Sequence, residues 1–516
     1  MYLKHKQCII FLYLKQEGSP MKYISTRNKE KIVSVSEAII QGLADDGGLY
    51  TPQTLDQKVD LASTLKMSYL ELAQYILSLF LSDFSHKQIQ QCVQNAYQNS
   101  FENNEVAPLC KYNDGWLVEL WHGPTSAFKD VALTLLPHLL TAAYQNQNEN
   151  DLISILTATS GDTGKAAING FADVKNTAIT VLYPEIGVSD IQKRQMQTSL
   201  GKNVEVIAVK GNFDDCQRIV KDAMKDPVVL EACKHMKLSS ANSINIGRLI
   251  PQIVYYFDSY AKLVNHGDIQ LGDVVNFVVP SGNFGNILAG YLAKQLGLPI
   301  KKLVCASNSN NVLTDFIRTG TYNANRTFIP TISPSMDILV SSNLERLLFL
   351  LSNHNDVLIN QYMASLKNDG HYTISDDLRQ RLQESFAAYD CSEDECKKVI
   401  HDTFHKEHIL IDPHTAVAVH ACHAYKQESN DNTPCIVLST ASAYKFAKDV
   451  YTALTGNSCK DEFEAMNALH DYTSIAIPKN LACLKDMEIR FTNTVKKEDA
   501  LATIAKRLEG LQHDHN

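Results

Sequence analysis

The 516-residue chain has no excess of positive charge, no C-x-x-C pair and no apolar run long enough to cross a bilayer. Each of these lacks removes a class of function. With 48 basic against 57 acidic residues the formal charge is -9, which argues against a nucleic-acid partner, because an extended polyanion needs a broad basic face. Anionic ligands must instead be held by local cradles. The twelve cysteines are scattered, with only Cys391 and Cys396 close together. That pattern reads as reduced thiols in a cytoplasmic protein, with no structural zinc and no other metal. The apolar run of residues 8–14 is only seven residues long and no small-x-small cleavage site follows it. It gives neither a secretion signal nor a membrane span. There are no repeats and no low-complexity segments. At 45% apolar content a chain of this length buries large cores and divides into two or three domains.

What is present begins with His122-Gly-Pro-Thr-Ser-Ala-Phe-Lys-Asp130. It follows a strand-like run, residues 116–121, and precedes an amphipathic helix. Gly123 and Pro124 break the strand, which leaves Lys129 near a helix N-terminus beside exposed amide donors. A lysine in such a place can form a Schiff base, while the helix end favours nearby anionic groups. His122 is placed to orient this turn, whereas His414 and His420 read as ordinary helix residues.

Two glycine-rich turns follow strand-like runs of the same kind. One runs from Asp151-Leu-Ile-Ser-Ile-Leu into Thr157-Ala-Thr-Ser-Gly-Asp-Thr-Gly164. The other runs from Val274-Val-Asn-Phe-Val-Val into Pro280-Ser-Gly-Asn-Phe-Gly-Asn286. Glycine lets the backbone approach a ligand, and consecutive amides at a helix start cradle an anion. Two cradles and a reactive lysine suggest a phosphorylated cofactor and a phosphorylated substrate. A nucleotide is disfavoured, since neither G-x-x-x-x-G-K-[ST] nor G-x-G-x-x-G occurs and the strand starting at Leu303 ends without an acidic residue for a ribose. A third turn, within residues 435–446, sets Ser439, Thr440 and Ser442 at a strand end, where a neutral hydroxyl suits a pyridine nitrogen.

Together these segments closely resemble the threonine synthase family, of the long type with an N-terminal extension. The resemblance also rests on Tyr23-Ile-Ser-Thr-Arg-Asn, Gly42-Leu-Ala-Asp-Asp-Gly-Gly-Leu-Tyr-Thr-Pro52, Asn242-Ser-Ile-Asn-Ile-Gly-Arg248 and Asp412-Pro-His-Thr-Ala-Val417. It implies an α/β enzyme of pyridoxal-phosphate fold type II, like the tryptophan synthase beta chain. Such a protein has a mostly parallel sheet, a smaller α/β lobe and an N-terminal helical domain. Lys129 is then the lysine that holds pyridoxal 5'-phosphate, with Phe128 shaping the ring pocket. Ser281, Gly282, Asn283, Phe284, Gly285 and Asn286 bind the cofactor phosphate, Asp162 lies near the ring hydroxyl and Thr440 meets the ring nitrogen. Thr159, Ser160, Asn242, Ser243 and Arg248 match positions that hold the substrate's carboxylate and phosphate, for which Arg has a suitable fork of donors.

The implied activity converts O-phospho-L-homoserine and water to L-threonine and phosphate, in a cytoplasmic monomer. A phosphate-releasing lyase or deaminase that yields a 2-oxo acid stays open, because one fold hosts several chemistries. The chain departs from the family pattern at Thr440-Ala-Ser-Ala443, where Thr-Ala-His-Pro is common. It also departs at Asp45 for a frequent proline, at Asn28 for glycine and at Ser126 for an apolar residue. These changes touch substrate fit more than cofactor anchoring. The expected organisation is an extension or misplaced start over 1–20, an N-terminal domain over 21–105 and a catalytic core over 106–455, with the smaller lobe at about 150–235. A helical subdomain over 456–516 closes the chain. Residues 318–342, rich in Asn, Thr and Pro, read as a long loop.

Overall fold

The computed structural model describes residues 21–515 other than 103, 104, 114, 149, 150, 160 and 187. Residues 1–20 and Ser160, both assigned roles from sequence, lie outside the described residues.

Two parallel sheets organise the chain. The larger has six strands, in the order Phe386–Asp390, Ile300–Ser307, Val275–Pro280, Cys435–Ser439, Gly115–Glu119 and Leu109–Tyr112. All pair in parallel except the edge strand Leu109–Tyr112. Val275–Pro280 and Cys435–Ser439 are buried along their whole length, as a sheet covered on both faces requires, so their sequences are apolar without alternation. The second sheet has five parallel strands, in the order Thr494–Lys496, Val204–Lys210, Thr177–Pro184, Leu152–Ala158 and Met236–Ser239. Both sheets send their strand ends into loops that open helices, which brings the glycine turns and the lysine turn to one region.

The N-terminal region holds the helices Val35–Gln41 and Tyr69–Phe80, each opened by a capping box from Ser34 or Ser68. It is not purely helical. Asn28–Val33, Tyr23–Ser25 and Tyr50–Pro52 form a three-stranded antiparallel sheet around the Gly47-Gly48 turn. This region is fastened to the core by Arg346, a fully buried side chain that donates to Tyr50 O at 2.8 Å and also bonds Asn343 Oδ1.

Two expectations about irregular segments need revision. Residues 318–342 carry a short strand, Thr321–Asn323, paired with His371–Thr373, and a 3-10 turn, Pro334–Met336. The tail does not stand apart as a helical unit. Its strand Thr494–Lys496 extends the five-stranded sheet, and its last helix, Ala500–His515, packs on Pro227–Ala232.

Candidate active site

Lys129 is the first residue of the helix Lys129–Leu133. The turn before it is locked from both sides. Phe128 N donates to Thr440 O at 2.8 Å and Ser442 N donates to Ser126 O at 3.1 Å, which clips the turn to the end of the Cys435–Ser439 strand. Ser126 takes φ +58°, unusual for a residue with a Cβ, and its hydroxyl bonds the Asn480 side chain. Inside the turn Thr125 donates to the Asp130 carboxylate through both N, at 2.8 Å, and Oγ1, at 2.6 Å. Burial nevertheless pushes the Asp130 carboxyl up to about 6. His122 fixes the start of the turn by its contacts with Glu119 at 2.7 Å and Glu102 at 3.3 Å.

The Lys129 ammonium lies 3.4 Å from Asp162 Oδ2 and 3.2 Å from Ser335 Oγ. Burial lowers its proton affinity, opposed by Asp162 and reinforced by the positive charges of Lys445 and Arg248. Asp162 opens the helix Asp162–Phe171 and is held by four groups. Lys445 Nζ is 2.6 Å from Oδ1, Gln192 Nε2 donates at 2.9 Å, Ser335 Oγ at 3.3 Å, and Lys129 completes the set. Burial alone would raise this carboxyl. The two lysines, with the hydrogen bonds from Lys445 and Gln192, instead hold it well below the usual carboxylate range. Asp162 is therefore an anion between two lysines, one reactive and one fully buried.

Opposite this cluster, the turn 281–284 leads into the helix Gly285–Gln295, where Leu288 N donates to Phe284 O at 3.1 Å. Ser281 N is taken by Ala306 O at 3.0 Å, whereas the amides of residues 282–287 have no backbone acceptor outside the helix among the described residues and are donors at a helix start, as an anion cradle needs. Gly282 is required here, because a Cβ would come within 2.7 Å of Ser335 O. Asn286 is anchored from behind by the hydroxyls of Tyr255 and Tyr256, at 2.6 and 3.0 Å, while its buried Nδ2 has no partner. The Thr440 hydroxyl bonds no described residue, whereas Ser442 Oγ accepts from Tyr444 N at 3.3 Å and caps the turn Ala443–Phe446. A lysine depressed by burial, a cradle of amides and a free hydroxyl fit a phosphorylated pyridine aldehyde. Gly282→Ala is expected to weaken cofactor binding at least tenfold in an absorbance titration, since the added methyl would run into the Ser335 carbonyl and backbone does not yield cheaply.

The residues expected to hold substrate divide into two groups. Arg248 is buried, donates through Nη1 to Ala241 O at 2.9 Å and keeps Nε without an acceptor. No carboxylate among the described residues pairs with it, and burial lowers it to about 10, so it remains a cation. Ser243 lies against Gly285 of the cradle, and its carbonyl, like that of Asn283, accepts from Asn343 Nδ2, so one side chain braces both loops. Asn242 sits in the same loop, where its carbonyl accepts from Asn245 N. Thr159 differs from the expectation. Its hydroxyl accepts from Gly161 N and Gly164 N, at 2.9 and 2.8 Å, and donates to Gly161 O at 3.1 Å, so it holds the turn and is spent there.

Sequence reasoning passed over Lys445, Gln192, Ser335 and His414. His414 is not an ordinary helix residue: its Nε2 accepts from Ser335 N at 3.1 Å and its Nδ1 lies 2.6 Å from Asp412 Oδ2, a buried relay that positions Ser335 beside Lys129.

The lysine, its anion and the amide cradle define a pyridoxal-phosphate-dependent enzyme of fold type II, and residues 106–440 match the family described as pyridoxal-phosphate dependent enzyme. Residues 22–97 match the threonine synthase N terminus and residues 415–504 the threonine synthase C-terminal family. The threonine synthase of Saccharomyces cerevisiae is 39% identical over 468 residues, covering 84% of this chain and 90% of that protein. A pyridoxal-phosphate-bound threonine synthase structure from Brucella melitensis has a TM-score of 0.83 at 36% identity, covering 95% of this chain and 99% of that one. The chain belongs to the threonine synthase family. Human threonine synthase-like 1 is 40% identical over 463 residues, and the match takes in 85% of this chain but 61% of that longer protein. No helix among the described residues is long and apolar enough to cross a membrane.

Proposed function

We propose that the protein converts O-phospho-L-homoserine and water to L-threonine and phosphate, the closing step of threonine biosynthesis. The observation that carries this reading is the buried, unpaired Arg248 facing the same cluster as Lys129, next to a separate amide cradle. One anion site serves the cofactor phosphate and a second serves a phosphorylated substrate.

Pyridoxal phosphate supplies an electron sink that stabilises negative charge at the substrate's Cα. This chain's residues do the rest. Phe128, its ring centroid 5.5 Å from Lys129 Nζ, walls the ring pocket, and Thr440 offers a neutral hydroxyl to the ring nitrogen. Lys129, as a neutral amine, would take the Cα proton, hand it on to the bound substrate–cofactor adduct and, neutral again, take a Cβ proton. Phosphate departs from Cγ into the donors of Arg248, and Lys129 returns a proton to Cγ. Water then adds its hydroxyl at Cβ, and protonation at Cα completes threonine. The burial that lowers Lys129's proton affinity suits it to act as a base near neutral pH. The described cysteines are all free thiols, which supports a reducing, cytoplasmic setting, and we read the working unit as a monomer.

Incubating the purified protein with O-phospho-L-homoserine and identifying the organic product tests the reading. L-threonine is expected in step with phosphate. Stoichiometric 2-oxobutyrate would instead make the protein a phosphate-releasing lyase. Arg248→Ala is expected to raise KM for phosphohomoserine by roughly ten- to a hundredfold, the ~1.5–3 kcal/mol of a charge-assisted bond, with the cofactor spectrum unchanged. Loss of the cofactor in that variant would place Arg248 in the wrong site.

A further inference from the structure

Beside residues 124–126 lies a cavity of about 220 Å³ that the reaction above does not use. It is walled by the helix Asp162–Phe171, the end of the helix Asp190–Gln197 with residues 198–200, and residues 480–487 of the tail. Junctions of this kind, between separate parts of a fold, are where small ligands bind.

Two features of the wall point to a ligand. Lys165 donates to Ser199 Oγ at 3.0 Å, and no carboxylate among the described residues lies within ion-pair distance of it. Burial lowers its ammonium to about 8 against the more distant pull of Asp130, which leaves it largely charged at neutral pH with no carboxylate in contact. Gln195 is 1% exposed and donates through Nε2 to Thr125 O at 3.4 Å, yet its buried Oε1 has no donor. A buried acceptor left without a donor is costly, so the wall calls for a donor near the anion. The remaining surface is apolar, from Ile168, Ala172, Leu484 and Met487.

We propose that this cavity binds a small aliphatic carboxylate with a hydroxyl or amino group on the adjacent carbon, its carboxylate on the Lys165 ammonium, which Ser199 Oγ orients while donating to Gln195 O at 2.9 Å, and its donor on Gln195 Oε1. The site bears on the reactive turn directly. Gln195 holds Thr125 O, and Asn480 Nδ2 holds Pro124 O at 2.9 Å, so an occupant presses on the backbone that leads into Lys129.

Cys483 gives a readout independent of turnover, since it is exposed and lines the same wall. The holoenzyme is alkylated with iodoacetamide and the Cys483 peptide quantified by mass spectrometry. The probes are (S)-2-hydroxy-4-methylpentanoate, which has no amine for the cofactor, and L-leucine, with 4-methylpentanamide as the uncharged control. At about ten times Kd either acid should slow alkylation roughly tenfold by occupancy, and the amide should not. Lys165→Met should lose the protection and keep its turnover of phosphohomoserine, while Lys165→Arg should retain both. Unchanged alkylation with both acids in the wild-type protein, or equal protection in Lys165→Met, overturns the proposal. Because the label is read without turnover, either result leaves the assigned reaction unaffected.

Discussion

Lys129→Ala is expected to abolish turnover, a fall of roughly 10,000-fold or more, because one side chain both anchors the cofactor and moves three protons. A positioned general base alone contributes about 100- to 10,000-fold, and the covalent anchor adds to that. The protein should also lose the long-wavelength absorbance of a lysine adduct while keeping its fold, since the Thr125–Asp130 bonds that hold the turn do not involve Lys129. Borohydride reduction of the wild-type protein followed by peptide mapping checks the same assignment. A pyridoxyl label on Lys445, the other lysine against Asp162, would show that the roles of the pair are exchanged.

The parts of this site legible in the sequence are those made by adjacent residues. A strand end, a glycine turn and a helix start lie within a dozen positions, so residues 280–286 and 122–130 announce their chemistry locally. The fold follows from the same signals, because runs such as Val275–Pro280, apolar without alternation, belong in a sheet covered on both faces. What could not be read is the partner that arrives from elsewhere. Ser335 comes from a polar stretch that resembles a solvated loop, and only the fold sets it 3.2 Å from Lys129. Lys445 stands among Ala443, Tyr444 and Phe446, and a cation in apolar company is the signal that was there to be found. His414 looks like one position on a helix face until Asp412 and Ser335 are seen on either side of it. Thr159 is the reverse case: its neighbours fit a ligand loop, while its hydroxyl bonds within the turn itself.

Lys445 carries the second large effect. Its ammonium is fully buried and donates to Thr125 O at 2.9 Å as well as pairing with Asp162. In Lys445→Met the Asp162 carboxylate stays buried with Lys129, Gln192 and Ser335 as its remaining partners. Breaking a buried pair costs about 3–5 kcal/mol, and those partners place this case near 3 kcal/mol, readable as a lower urea midpoint. The catalytic consequence has a definite sign. Lys129 works only as a neutral amine, so activity falls as the pH drops through its pKa. The positive charge of Lys445 favours the neutral form, and Asp162, once freed of its stronger partner, draws the Lys129 proton more tightly. Both changes raise the proton affinity of Lys129. The acidic limb of the kcat profile should therefore move to higher pH in Lys445→Met, and Lys445→Arg should return it most of the way. A variant that loses stability but keeps the wild-type limb would reduce Lys445 to a support for the turn, with no part in setting the charge of the catalytic lysine.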